Sequence, residues 1–92
     1  MEKPMATATA ETLRKVIDII AGVKQFDAGV IQSCWSLSDA EQGVGMDSLD
    51  LVDIMLKLED DFRIGLYDED VDGCQIVQDL ANLVQHELDL RG

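Results

Sequence analysis

A chain of 92 residues is enough for one small domain and too short for two. Nineteen Asp and Glu against seven Lys and Arg give a net charge of −12 and an isoelectric point near 4.1. That balance excludes nucleic acid and anionic membrane surfaces as partners, because both demand clustered basic residues; basic protein patches or cations are the natural complement.

A hydrophobic content of 47% marks a globular chain, and with Phe26, Trp35, Phe62 and Tyr67 as its aromatics and a single Pro the core must be aliphatic, which favours helices. Residues 1–6 offer nothing to bury, so the folded domain is expected over 7–92 behind a frayed tail. No apolar signal-peptide core follows Met1-Glu2-Lys3-Pro4, and no run approaches the roughly 18 apolar residues of a membrane span. Cys34 and Cys74 make no disulfide framework, are too few for structural zinc, and read as small buried hydrophobes. The expectation is a reduced, cytoplasmic, monomeric protein without membrane insertion.

Leu13, Val16, Ile17 and Ile20 follow the i, i+3, i+4, i+7 rule and predict an amphipathic helix. Thr7 or Thr9 can cap its start, Glu11 suits the positive dipole end, and Gly22 is the expected stop. From Lys24 to Met46 the period dissolves among Gly29, Gly43 and Gly45. A loop that long is expected to be functional or locally ordered. Phe26, Val30, Ile31, Trp35 and Leu37 are its candidate core anchors, with a helical turn expected around Val30–Trp35.

Leu51, Ile54, Met55, Leu58 and Phe62 mark the clearest helix, opened by Asp47 and Asp50 as an acidic capping box and ended at Gly65. Tyr67–Gly73 is short, acidic and read as one helical turn. Ile76, Val77, Leu80, Leu83, Val84 and Leu88 predict a last helix running almost to the C-terminus. The fold class is therefore all-α: a small helical bundle of three main helices plus a short third helix, with a long loop between the first and second helices.

The second helix carries more apolar residues than one face can bury. Leu49, Val52 and Leu56 lie well around from the Ile54–Leu58 face. A thin bundle could bury both stripes; the sharper reading is an apolar docking ridge flanked by carboxylates. Ten acidic and two basic residues fall between Asp47 and Asp72, so eight of the twelve net charges lie in that stretch. A merely solvated face mixes signs, and concentrated like charge opposes folding, so the clustering favours the docking reading.

Ser48 presents a hydroxyl in the first turn of this helix, where unpaired backbone N–H groups and the dipole stabilise an attached phosphodiester. Taken alone, Asp47 and Ser48 could simply cap the helix. Asp47-Ser48-Leu49-Asp50, however, resembles the Asp-Ser-Leu signature of acyl carrier proteins, and Leu49–Phe62 with Asp50, Asp53, Glu59 and Asp60 resembles that family's recognition helix. Gly22-Val23-Lys24-Gln25 is similar to a common junction of the family, and from Gly45 to about Leu88 the likeness runs without gaps.

The resemblance implies a non-enzymatic carrier. Ser48 would receive 4′-phosphopantetheine covalently from coenzyme A through a phosphopantetheinyl transferase, and the arm's thiol would hold acyl groups as thioesters. Asp47, Leu49 and Asp50 would surround the attachment point. Leu49, Val52 and Leu56 would form the contact ridge, with Asp50, Asp53, Glu59 and Asp60 meeting basic patches on acyl-transferring and acyl-modifying enzymes. The helices would part to shelter the acyl chain. Gly43-Val44 stands where the family usually has Asp-Leu, the loop is longer than in ordinary fatty acid carriers, and Tyr67 replaces a frequent Pro; these departures point toward a specialised lipid or polyketide pathway, with ordinary fatty acid synthesis as the second reading.

A competing reading takes Asp68, Asp70, Asp72 and Asp79 as the opening and twelfth positions of an EF-hand calcium loop within an interaction module. Asp79 is shorter than the bidentate Glu usual there, Gln75 occupies an ordinarily apolar position, and Gly65 breaks the preceding helix. His86 reads as a solvent-facing helical residue with no triad around it, and the residues suggest no metal site. Clustered carboxylates make one further demand: moderate salt or magnesium should raise the melting temperature above its low-salt value, and an unchanged melting curve would mean the acids are farther apart than their spacing implies.

Overall fold

Thr9 adopts an extended backbone and its hydroxyl accepts the Thr12 N–H at 3.1 Å, capping one of the donors a helix start leaves unpaired. From there the computed structural model, which describes residues 7–91, shows α1 over Ala10–Lys24, a 3-10 turn over Ala28–Val30, α2 over Ser48–Phe62, α3 over Asp68–Asp72 and α4 over Val77–Arg91. The all-α bundle with a short third helix is as expected; the tail expected over residues 1–6 lies outside the described residues.

The core is one aliphatic cluster. Val16 and Ile20 of α1, Ile54, Met55 and Leu58 of α2, and Val77, Leu80, Ala81, Leu83 and Val84 of α4 are buried together. Each fully buried Val, Leu or Ile contributes about 1.5–3 kcal/mol relative to exposure. Helix α1 packs against both α2 and α4. Its N-terminal end is also held to α4 by polar contacts: Ala8 N–H donates to Asn82 Oδ1 at 2.8 Å, and the buried Thr12 hydroxyl donates to Gln85 Oε1 at 2.7 Å.

Two helix ends differ from expectation for one reason. Helix α1 runs through Gly22 and stops at Lys24, where Gln25 takes the left-handed conformation (φ 59°) and donates its N–H to Ala21 O. Helix α2 stops at Phe62, ahead of Gly65, with Arg63 left-handed at φ 56°. A single left-handed non-glycine residue costs roughly 1–2 kcal/mol, and here tertiary contacts decide: Val23 packs on the core, while Ile64 and Leu66 are drawn into it.

The long connection is ordered by backbone hydrogen bonds: its 3-10 turn lies at Ala28–Val30, and the expected Val30–Trp35 stretch holds a single hydrogen-bonded turn, Trp35 N–H to Gln32 O at 3.1 Å, rather than a helix, while Phe26 and Val30 remain exposed. Ile31, Leu37, Val44 and Met46 are the buried anchors, with Trp35 partly buried against them. Leu37 N–H donates to Gln75 O (2.9 Å) and Val77 N–H to Trp35 O (3.0 Å), while Val44 N–H donates to Ser36 O and Met46 N–H to Leu37 O (both 2.8 Å). Residues 35–37 are thus held between the start of α4 and the run that leads into α2. A Cβ on Gly43 would fall on the Ser36 backbone, which explains why Gly43 stands where an Asp would be usual.

The cysteines differ from expectation. Cys34 is exposed and Cys74 half-buried, both as free thiols, because their segments are held through backbone bonds and the neighbouring Ile31, Leu37 and Val71 supply the apolar anchors. Burial, with Asp79 and Asp70 adding to it, pushes the Cys74 thiol up to about 11, so it carries no thiolate near neutrality. His86 is half-buried rather than freely solvated.

One ion pair joins α1 to α2: Lys24 Nζ lies 2.8 Å from Asp50 Oδ2. The Lys24 hydrogen bond, followed by the Asp47 N–H, holds the Asp50 carboxyl below its usual 3.8. A carboxyl depressed in the folded state stabilises the fold above its unfolded pKa and loses that contribution as pH falls through the folded value. Asp50→Asn should therefore lower the melting temperature at pH 7, with the gap from the parent protein closing as pH falls below 3.8; a gap that persists in acid would show that the charge is not what stabilises. Gly43→Ala should cost about 2–3 kcal/mol through the clash with Ser36, lowering the melting temperature by roughly 10–20 °C. Gly22→Ala, whose Cβ meets nothing within 4 Å, should instead stabilise by about 0.5–1 kcal/mol; thermal denaturation followed by circular dichroism separates the two.

Candidate functional site

Asp47 and Asp50 cap α2 reciprocally. Asp47 Oδ1 accepts the Asp50 N–H at 2.8 Å, and Asp50 Oδ2 accepts the Asp47 N–H at 3.3 Å, the acidic capping box expected from the sequence. Ser48 is the first residue of the helix and is exposed. Because the two carboxylates serve the cap between them, the Ser48 hydroxyl stands outside the capping hydrogen bonds. A hydroxyl so placed can be esterified without dismantling the helix start, and the dipole end favours an anionic group there.

Beside this tip is a cavity of about 240 Å³. Leu37, Met46, Leu51 and Val71 supply its apolar lining, Cys74 a further wall, and Ser48, Asp47, Asp72 and Ser38 its polar part. The lining comes from the long connection, α2, α3 and the turn into α4, so it exists only in the folded chain. Leu37, Met46 and Val71 are spaced across the sequence with no shared period, which is why sequence reasoning did not assemble them.

The second stripe of α2 stays outside. Leu49 is 81% exposed, Leu56 59% and Val52 53%, although Ile54, Met55 and Leu58 are buried. Asp53, Asp60 and Asp61 are exposed along the same helix. Two expected docking acids are otherwise engaged: Asp50 bonds Lys24 and Asp47 N–H, and Glu59 Oε2 accepts the Leu66 N–H at 3.0 Å. Sequence reasoning placed Lys24 in the junction Gly22-Val23-Lys24-Gln25 but gave it no task of its own; its position in the last turn of α1, in a chain poor in bases, is a further signal that could have marked it.

The calcium reading is overturned by geometry. Asp68, Asp70 and Asp72 lie within helix α3, where residues two apart point about 200° around the axis and cannot converge on one ion. Asp79 Oδ2 accepts the Gln75 and Ile76 N–H groups at 3.0 and 3.1 Å, capping α4. Among the described residues no group of three or more His, Cys, Asp or Glu could hold a metal ion, and no helix is long and apolar enough to cross a membrane.

The chain resembles known proteins over most of its length. A family model for the phosphopantetheine attachment site matches residues 14–84. The acyl carrier protein of Clostridium acetobutylicum is 37% identical over 71 residues, covering 77% of this chain and 88% of that protein. The acyl carrier protein of Bdellovibrio bacteriovorus is 32% identical over 71 residues, covering 77% and 87%. Chloroplastic acyl carrier protein 4 of Arabidopsis thaliana is 35% identical over 78 residues, 85% of this chain and 55% of that protein. The chain spans only about half of that chloroplastic relative and 35% of those from Cuphea lanceolata. The exposed hydroxyl at the capped tip suits covalent attachment of 4′-phosphopantetheine, and the chain belongs to the family of acyl carrier proteins, carriers rather than catalysts, that bear this cofactor.

Proposed function

We propose that Ser48 bears the 4′-phosphopantetheine arm and that the chain works as a monomeric, cytoplasmic acyl carrier serving fatty acid or specialised lipid or polyketide biosynthesis. The observation that carries this reading is the exposed Ser48 hydroxyl at the doubly capped tip of α2, beside an apolar-lined cavity of about 240 Å³. Ser48 Oγ forms the bond to the phosphorus of the pantetheine phosphate of coenzyme A; the bond from that phosphorus to the adenosine bisphosphate breaks, the bisphosphate leaves, and the serine proton passes to a base of the transferase or to water. Once attached, the arm supplies a thiol that holds acyl groups as thioesters.

What this chain's residues contribute is placement and recognition. Asp47 and Asp50 keep the helix start intact around Ser48. Leu49, Val52 and Leu56 form the contact ridge for the transferase and for acyl-handling enzymes, and Asp53 and Asp60 meet their basic patches. Asp50 and Glu59, occupied internally, support the helix rather than the partner. Leu37, Leu51 and Val71 offer the acyl chain its first apolar contacts. The free charge of the surface keeps copies of the chain apart, in line with a monomer.

Incubation with coenzyme A and a phosphopantetheinyl transferase should add the mass of one arm, and Ser48→Ala should remove all of the gain; an unmodified parent protein would refute the reading. Leu56→Ala and Asp53→Lys should each lower kcat/KM for loading about tenfold, equivalent to ~1.4 kcal/mol. The effect of Asp53→Lys should shrink with added salt and that of Leu56→Ala should not.

A further inference from the structure

We infer that Lys24 is a positioning residue for attachment of the arm, its ammonium clamping the tip of α2 to the end of α1 and so setting where the Ser48 hydroxyl is offered. The inference rests on the reading of Ser48 as the attachment point. Lys24 Nζ makes two contacts that straddle the serine: Gly45 O at 3.3 Å, three residues before it, and Asp50 Oδ2 at 2.8 Å, two residues after it. One cation thus holds both sides of a six-residue span.

Three features make this clamp more than a surface ion pair. The Lys24 and Asp50 side chains are only 21% and 25% exposed, so solvent screens them less than an open pair. Asp50 Oδ2 accepts the Asp47 N–H as well as the lysine, which couples the cation directly to the cap beside Ser48. Gly45 is left-handed at φ 70°, and a Cβ there would lie 2.9 Å from Ala40, so the chain entering α2 is closely packed at the residue whose carbonyl Lys24 holds.

The pairing also withdraws a charge from the docking surface. A carboxylate hydrogen-bonded to Lys24 attracts a basic enzyme less than a free one, and releasing it should strengthen attraction while loosening the tip. Loss of Lys24 therefore has opposite consequences for encounter and for placement. A residue that only stabilised the fold would alter neither below the melting temperature, and a residue that docked the enzyme would raise KM.

The test uses the full chain, coenzyme A and a phosphopantetheinyl transferase, with kcat and KM measured at a temperature where circular dichroism shows every variant folded. Lys24→Met should lower kcat about tenfold while KM stays level or falls, and Lys24→Arg, which can reach both acceptors, should recover most of the loss. Asp50→Asn should lower kcat similarly, and Lys24→Met combined with Asp50→Asn should be no slower than either alone, because both remove one clamp. Amide hydrogen exchange over residues 48–51 should quicken in Lys24→Met. An unchanged kcat, a rise in KM alone, additive losses, or a folded Lys24→Arg that fails to recover would overturn the inference. If Lys24→Met is unfolded, the arginine and asparagine variants decide it by the same criteria. Parent protein that loads slowly but at Ser48 leaves the attachment reading standing, whereas parent protein that never loads overturns both.

Discussion

The reciprocal cap at the start of α2 is the interaction on which the site depends. Two carboxylates, Asp47 and Asp50, satisfy each other's backbone amides, and the residue between them that begins the helix is thereby relieved of capping. Were Ser48 itself the cap, its oxygen would accept an amide N–H and point back along the helix start, and modification would expose an unpaired donor. Moving the cap one residue upstream turns a structural position into an available hydroxyl. The cap is set in place by contacts far away in sequence: Met46 and Val44 are tied to Leu37 and Ser36, which are tied in turn to the residues before α4.

Charge is divided by the same logic. In a chain with nineteen acidic residues, sequence cannot say which carboxylates face a partner. The fold separates them by what their oxygens accept. Asp27, Asp39, Asp47, Asp50, Glu59 and Asp79 each receive a backbone N–H and order turns or helix ends. Asp53, Asp60 and Asp61 lie exposed on α2 beside the apolar ridge. The first group turns part of the negative excess into local structure; the second leaves the rest at the surface beside the ridge, and a field of that kind in general speeds encounter with an oppositely charged surface more than it deepens affinity.

Much of this was legible in the residues. Helical spacing located all three long helices, because an amphipathic face repeats over several turns and a local error does not shift it. Thr9 and the Asp47–Asp50 pair were legible because capping is short-range chemistry. The exposure of Leu49, Val52 and Leu56 was half legible: the second stripe stood out as surplus to one face, but a thin bundle could have buried it, and only the packing leaves it outside. What failed was what long-range packing decides. Gly22 and Gly65 are the residues a left-handed stop prefers, yet Gln25 and Arg63 take those conformations because Val23, Ile64 and Leu66 are pulled toward the core. The long connection was opaque because main-chain hydrogen bonds between residues 33–37, 42–46 and 75–78 hold it, and main-chain groups are the same at every residue.

Gly43 shows how a departure from a familiar pattern can preserve a site. A side chain there would enter the Ser36 backbone, so the longer connection closes on itself only with glycine at that point, and Val44 next to it fills the core. The approach to α2 is thereby fixed by main-chain contact on one side and by Lys24 holding Gly45 O on the other. The opposite wall of the cavity is built differently. Helix α3 has five residues, too few to persist without packing, and Val71 is the buried side chain by which it is anchored. Val71 also lines the cavity beside Leu51. The Ser48 hydroxyl therefore stands beside a wall fixed by main-chain contact across the long connection, whereas the α3 wall depends on the burial of one side chain, Val71.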